Sequence, residues 1–196
     1  IPDFNLIEGG DLCTSAWDVL GRHVQIRGDA LVYDGTGRHT APTVAEMLIE
    51  AGQDVRYYMI DDLPAKELTY GERVIWKKRL AEQKIVPVGE HSLVSVERAG
   101  NGLVATLISD LTGEETQIET SAVVLETGVL PVSELFDALL DGSANVGGSD
   151  LTDREPPQPA PQSTRDGYDL FRIGDAAGSR NVQAAMFDAL RLCRTL

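Results

Sequence analysis

Short unbroken apolar runs and helical periodicity alternate along the first half of the chain. Ala30, Leu31, Val32 and Tyr33 form a continuous apolar stretch, the mark of a strand buried on both faces. It runs into the glycine pair of "YDGTG". Over residues 43–51 the apolar positions Val44, Met47 and Leu48 then repeat at helical spacing. Pro42 suits the first turn of that helix and Gly52 its C-terminal cap. "DVRYYMID" reads as the next strand. Strand, helix and strand in this order make, by default, a right-handed parallel unit.

The same reading covers the rest of the chain. "TSAWDVLG" predicts a short helix capped by Thr14 or Ser15 and stopped at Gly21, and "HVQI" a short strand. "YGERVIWKKRLAEQKI" predicts a second long helix with Val74, Ile75 and Leu80 on its apolar side. After it, "IVPVG", "SLVSVERAG", "LVATLISDLTG" and "ETQIETSAVVLETG" read as strands. The turns "AGNG" and "LTGEE" predict a three-stranded antiparallel meander. "VSELFDALLDG" is a further short helix. Residues 142–168 are rich in Gly, Pro, Ser and Asp, with four prolines in residues 156–161, so they predict a long loop. "LFRIGDAAGSRNVQAAMFDALRLCRTL" closes the chain as strand, turn and amphipathic helix. The class is α/β, and no internal repeat is present.

Composition narrows the function classes. The 196 residues suffice for one large domain or two small ones. No apolar run reaches the ~18 residues a membrane span needs. The first residues lack the order of a signal peptide, so a cytoplasmic protein is expected. A net charge of −14 argues against nucleic acid, since phosphate backbones need a basic surface. Cys13 and Cys193 form no CxxC pair and are too few for a zinc site. Buried free thiols are expected, with the alternative that the two are neighbours if both chain ends share one subdomain.

Three stretches carry candidate chemistry, one of them "AVVLETGVLP", a buried strand that ends in a small polar turn and a proline-bounded exit. A strand ending in a glycine turn lets backbone approach a pyrophosphate, and the following helix start faces the anion. Here Gly35 and Gly37 are followed by Arg38, His39, Thr40 and Ala41. The small residue thus arrives one position later than in GxGxxG/A, and Pro42 removes an amide near the helix start. Two readings stay open: a dinucleotide site in which Arg38 and His39 contact phosphate, or a structural strand–turn–helix with both side chains facing solvent. Asp61 and Asp62 end the second strand, where an acid holds a ribose hydroxyl in a working site and is a solvated loop otherwise. The third stretch, "FRIGDAAGSRNVQ", delivers Gly174 and Asp175 to the start of the last helix. There Asp175 either binds sugar hydroxyls or serves as a plain N-cap. His23 and His91 have no companions at ligand spacing, and no GxSxG or HExxH motif occurs.

The order "YDGTGRHTAPTVAEMLIEAGQDV", "VVLETGVLP", "LFRIGDAAGSRNVQAAMFDALRL", preceded by "TSAWDVLG", resembles the two-dinucleotide-domain flavoproteins. Within them it is most similar to the C-terminal FAD/NAD(P)-type domains of the trimethylamine dehydrogenase and 2,4-dienoyl-CoA reductase group. These are old-yellow-enzyme-like flavoprotein oxidoreductases, and the "AP" after the glycine turn and the "GDA…R" ending resemble the N-methylamine demethylase branch. The resemblance implies a Rossmann-like three-layer FAD/NAD(P)-binding fold with a parallel sheet and an antiparallel β-meander. Residues 23–130 would be an inserted NAD(P)-type domain, and residues 1–22 and 131–196 a partial outer FAD- or ADP-type domain.

It also implies cofactors and partners. Gly174, Asp175 and Arg180 would face FAD (or ADP) shared with an upstream segment. Gly35, Gly37, Arg38, His39 and Thr40 would form the inner site, where NAD(P) is possible. FMN and any iron–sulfur cluster would lie outside this chain, on an upstream catalytic barrel domain or partner subunit in an oligomer. The relatives' upstream glycine loop and barrel have no counterpart here, so a fragment or one subunit of a split enzyme is expected. The implied activity is oxidation or demethylation of small N-methylated amines, with no catalytic residue in this chain. The competing expectation is a non-catalytic nucleotide-binding or assembly module whose glycine turn is structural.

Overall fold

A computed structural model describes residues 7–145 and 167–194. They fall into two compact units, Pro2–Gly128 and Val129–Leu196. The first unit contains β1 (Thr14–Ser15), α1 (Ala16–Leu20), β2 (Ala30–Asp34), α2 (Thr40–Glu50), β3 (Val55–Met59), α3 (Tyr70–Glu82), β4 (Pro87–Val88), β5 (His91–Ala99), β6 (Gly102–Ser109), β7 (Glu115–Thr120) and β8 (Ala122–Glu126). Five of the strands form one sheet in the order β1-β8-β2-β3-β4, every pairing parallel. The others form the antiparallel β5-β6-β7 meander.

Strand parity explains the layering. Successive side chains of a strand point to opposite faces. Ala30 and Val32 of β2, with Val124 of β8, pack against Ala41, Val44, Ala45 and Leu48 of α2. Leu31 and Tyr33, with Val123 and Leu125, pack instead against Leu93, Val96, Leu103, Ala105 and Leu107 of the meander. The parallel sheet is thus covered on both faces, as its continuous apolar strands require. Each fully buried leucine there, such as Leu31 or Leu107, contributes about 2 kcal/mol of transfer free energy. This is the three-layer α/β arrangement expected, with its meander in place.

Several local expectations shift. Residues 23–26 form no strand, and of them only Ile26 is buried. The helix α2 starts at Thr40, so Pro42 occupies its third position, where the missing N–H is still one of those without an intrahelical partner. On α3 the buried residues are Trp76 and Leu80, while Val74 and Ile75 are exposed. Positions 76 and 80 lie one turn apart on one face, and Trp76 brings both the larger apolar area and a ring N–H that finds a partner. The stretch "ETQIETSAVVLETG" is two strands in different sheets. The chain changes sheets at Ser121, whose amide (3.1 Å) and hydroxyl (2.6 Å) both donate to Asp29 Oδ1. Residues 1–22 were expected with the outer domain. Their described part is instead built into the first unit, because β1 extends the parallel sheet beside β8 and Ala16 and Val19 enter its core.

The second unit holds α4 (Glu134–Leu139), a 3-10 turn at Gly174–Ala176 and α5 (Val182–Cys193). Ser143 bridges Tyr168, and Asn145 exchanges two hydrogen bonds with the backbone of Leu170 (2.9 and 3.0 Å). These contacts join the ends of the Pro-rich stretch, whose residues 146–166 lie outside the described residues. "LFRI" is not a strand, having no partner strand among the described residues. Asn181 caps α5 by accepting from the Ala184 amide (2.8 Å).

Both cysteines are free. Burial, with help from the Asp11 charge, pushes the Cys13 thiol up to about 12, whereas Cys193 is exposed. Only the thiolate reacts readily. One thiol per native chain is therefore expected to react with a disulfide reagent near about pH 8, the second only on unfolding. Equal reaction of both in the native protein would contradict the burial of Cys13.

Candidate functional site

The parallel sheet runs from β2 through α2 to β3 on one side and returns through β8 on the other. The strand order therefore reverses between β2 and β8, and ligands of open α/β sheets bind outside the carboxyl ends of strands at such a point. Those ends carry two acids, Asp34 and Glu126, which are Cα register partners. Their even positions put them on the α2 face with Val32 and Val124.

Asp34 is almost completely buried, at 1% exposure. Its Oδ1 accepts from the amides of Thr36 (3.1 Å) and Gly37 (2.9 Å) and from the Thr36 hydroxyl (3.4 Å). Its Oδ2 accepts from the Tyr57 hydroxyl (2.7 Å). Burial pushes the carboxyl above the usual carboxylate range, while the Tyr57 hydroxyl and the two amides pull it back. Glu126 is 5% exposed, and its Oε2 is buried without a hydrogen-bond partner. Burial pushes it up to about 7. The Asp34 charge adds to the rise, and the Gly128 amide, Arg38 and the Thr40 hydroxyl oppose it.

The glycine turn is tightly covered. Gly37 has φ +61, and a Cβ there would stand 2.6 Å from Asp61 Oδ2. Only glycine meets both demands. The Glu67 amide donates to the Gly37 carbonyl (3.0 Å). Lys66 pairs with Asp61 (3.5 Å) and Asp62 (2.9 Å), so the two acids read as possible ribose ligands belong to a salt-bridged loop over the turn.

The remaining predicted residues separate into two places. His39 Nδ1 accepts from the Trp76 ring N–H (3.1 Å), which assigns the proton to Nε2, and that nitrogen faces Glu72 (3.6 Å). His39 thereby ties the start of α2 to α3. Arg38 is exposed, and Thr40 opens α2. Gly35, Gly37, Arg38, His39 and Thr40 therefore do share one turn. In the second unit, Gly174 (φ +59) is buried and donates its amide to Asp188 Oδ2 (3.2 Å). Arg180 pairs with the same carboxylate, and Asp188 is 4% exposed. Asp175, next to Gly174, is exposed at the turn.

Sequence reasoning passed over Asp34, Tyr57, Glu126 and Asp188. A signal existed for two of them: each acid ends an apolar run just before a glycine turn, in "YDG" and "LETG". Asp188 lies mid-helix and gave none. No three His, Cys, Asp or Glu among the described residues form a metal-holding group, and no helix among them is long and apolar enough to cross a membrane.

The Glu126 geometry gives a pH prediction. A carboxyl ordinarily near 4.5 and held near 7 in the folded protein stabilises it fully at low pH, and that contribution is lost as pH rises from about 4.5 to about 7. Glu126→Gln is therefore expected to gain about 1–2 kcal/mol on the parent protein between acid and mildly alkaline conditions, measured by urea unfolding across pH. A constant difference would contradict the buried, partnerless oxygen.

No family model matches the chain. Curated proteins do. It is 36% identical over 200 residues to a multifunctional alkene reductase/demethylase of Caballeronia cordobensis, covering 100% of this chain and 30% of that protein. It is 33% identical over 193 residues to a probable N-methylproline demethylase of Rhizobium meliloti (strain 1021), covering 97% of this chain and 28% of that protein. Among solved structures, a 6-hydroxypseudooxynicotine amine oxidase from Pseudomonas geniculata N1 superposes with TM-score 0.70 at 25% identity, over 93% of this chain and 24% of that one. The chain thus spans less than a third of each of these proteins.

Proposed function

Because the chain belongs to the trimethylamine dehydrogenase and 2,4-dienoyl-CoA reductase group of old-yellow-enzyme-like flavoprotein oxidoreductases, we propose that it is the nucleotide-binding segment of a flavin-dependent enzyme that oxidises or demethylates small N-methylated amines. The observation that carries this reading is similarity to demethylating relatives along essentially the whole chain rather than at one motif. An FMN outside these residues would supply the hydride-accepting chemistry. The residues of this chain bind and orient.

The second unit is the better fit for the FAD or ADP that the family uses. Exposed Asp175 stands beside a glycine turn just ahead of the twelve-residue helix α5, where a short acid meets sugar hydroxyls. Asp188 holds the turn by the Gly174 amide and holds Arg180 at the same time, so these two residues position Asp175 more than they contact a ligand themselves. The donor set of the first unit fits hydroxyl groups and hydrogen-bond donors, but not a pyrophosphate, since Asp34 already takes the turn amides. The first unit thus serves as a scaffold.

Thermal unfolding of the folded chain with FAD, ADP, NADH and NADPH tests the reading. FAD or ADP is expected to raise Tm, and Asp175→Ala to remove the rise. If none of the four shifts Tm at about a hundredfold excess over a micromolar dissociation constant, the nucleotide-binding role fails.

A further inference from the structure

The glycine turn has the shape of a phosphate cradle, yet its donors are spent on the chain itself. The amides of Thr36 and Gly37, together with the Thr36 hydroxyl, converge on one carboxylate oxygen of Asp34. The Tyr57 hydroxyl fixes the other oxygen from the neighbouring strand. An anion therefore sits where the turn would present its donors to a phosphate. It cannot swing away cheaply, because it ends a fully buried strand and is held on both oxygens.

Acids outnumber cations around it: Lys66 is paired with Asp61 and Asp62, and Arg38 acts on Glu126. Glu126, in register with Asp34, keeps a buried oxygen without a partner on the same face. Asp61 reaches to within 2.6 Å of the space above Gly37, and the loop carrying it is bonded to the turn through Glu67. Pro42 offers no amide at the helix start. A pyrophosphate would have to displace the Asp34 carboxylate from the turn amides and then lie beside Asp34 and Glu126, two acids in register at the strand ends, where like charges repel.

We infer that Asp34 is a built-in substitute for a nucleotide phosphate: its carboxylate fills the anion site of the glycine turn, and with Glu126 it makes the crevice between β2 and β8 reject phosphate-bearing nucleotides. Asp34 and Glu126 are then the specificity-determining residues of the first unit. The inference does not depend on whether the second unit binds FAD.

The test is a titration of the full 196-residue chain, ¹⁵N-labelled, with ADP and separately with NADH. The amide signals of Thr36 and Gly37 are expected to stay in place up to millimolar ligand. Responses at Gly174 and Asp175 report the other site and leave this inference untouched. The double variant Asp34→Gly/Tyr57→Phe removes the carboxylate and the hydroxyl that would be orphaned with it. It is expected to bind ADP at Thr36 and Gly37 about tenfold or more tightly than the parent, and adding Glu126→Gln is expected to strengthen this further. Asp34→Asn keeps the accepting oxygen and is expected to stay closed. A saturable shift of the Thr36 and Gly37 signals in the parent chain or in Asp34→Asn would overturn the inference, and so would a folded double variant that binds no better than the parent. Should the double variant fail to fold, the parent and Asp34→Asn titrations decide alone: silence at both amides supports the closed turn and a saturable shift refutes it.

Discussion

Replacing Asp34 with alanine is expected to lower the unfolding free energy by about 2–4 kcal/mol, one of the largest single-residue effects outside the apolar core. Four donors lose their acceptor at once: the Thr36 amide and hydroxyl, the Gly37 amide and the Tyr57 hydroxyl. The loss is of hydrogen bonds more than of charge. Asp34→Asn retains an oxygen for both amides, and the Tyr57 hydroxyl can turn to accept from the new amide group. That variant is therefore expected to lose about 1 kcal/mol or less. Burial raises the Asp34 carboxyl above its ordinary range, so its ionisation penalises folding progressively as pH rises past that range. Asp34→Asn should accordingly improve on the parent as pH increases. Urea unfolding of the three proteins at two pH values separates the contributions. If Asp34→Ala and Asp34→Asn are equally stable, Asp34 does not organise the glycine turn.

The second large effect lies in the other unit. Asp188→Ala removes the carboxylate that accepts from the Gly174 amide and pairs with Arg180, leaving the buried Gly174 amide without its acceptor. Leaving a buried amide without its acceptor and removing the buried half of an ion pair costs about 1–3 kcal/mol. The 3-10 turn at Gly174–Ala176 should loosen first, seen as faster hydrogen exchange at Gly174. If Asp175 meets a nucleotide, its affinity should fall in the same variant by about tenfold or more. Arg180→Ala, which leaves Asp188 bonded to Gly174, should do less to the exchange. Unchanged exchange at Gly174 in Asp188→Ala would show that the carboxylate is not what holds the turn.

These two acids mark the limits of what a linear reading can find. Local pattern determined the elements. The continuous apolar run before "DGTG", the 3.6-residue rhythm after it and the glycine-punctuated strands each follow from backbone geometry over a few residues. The ordered motifs likewise pointed to the right family without any contact being known. Tertiary structure decided the rest. Which face of α3 is buried depended on Trp76 meeting His39 across 37 residues, not on the apolar count of the helix. Whether "ETQIETSAVVLETG" is one strand or two depended on Asp29, some 92 residues away, holding Ser121 at the change of sheet. Whether the glycine turn can take a phosphate depended on parallel pairing, which set Asp34 beside Tyr57 and Glu126. A sequence shows that amides will be presented at a turn. Only the fold shows which group, ligand or side chain, arrives to receive them, because that acceptor is supplied by burial and by residues far away in the chain.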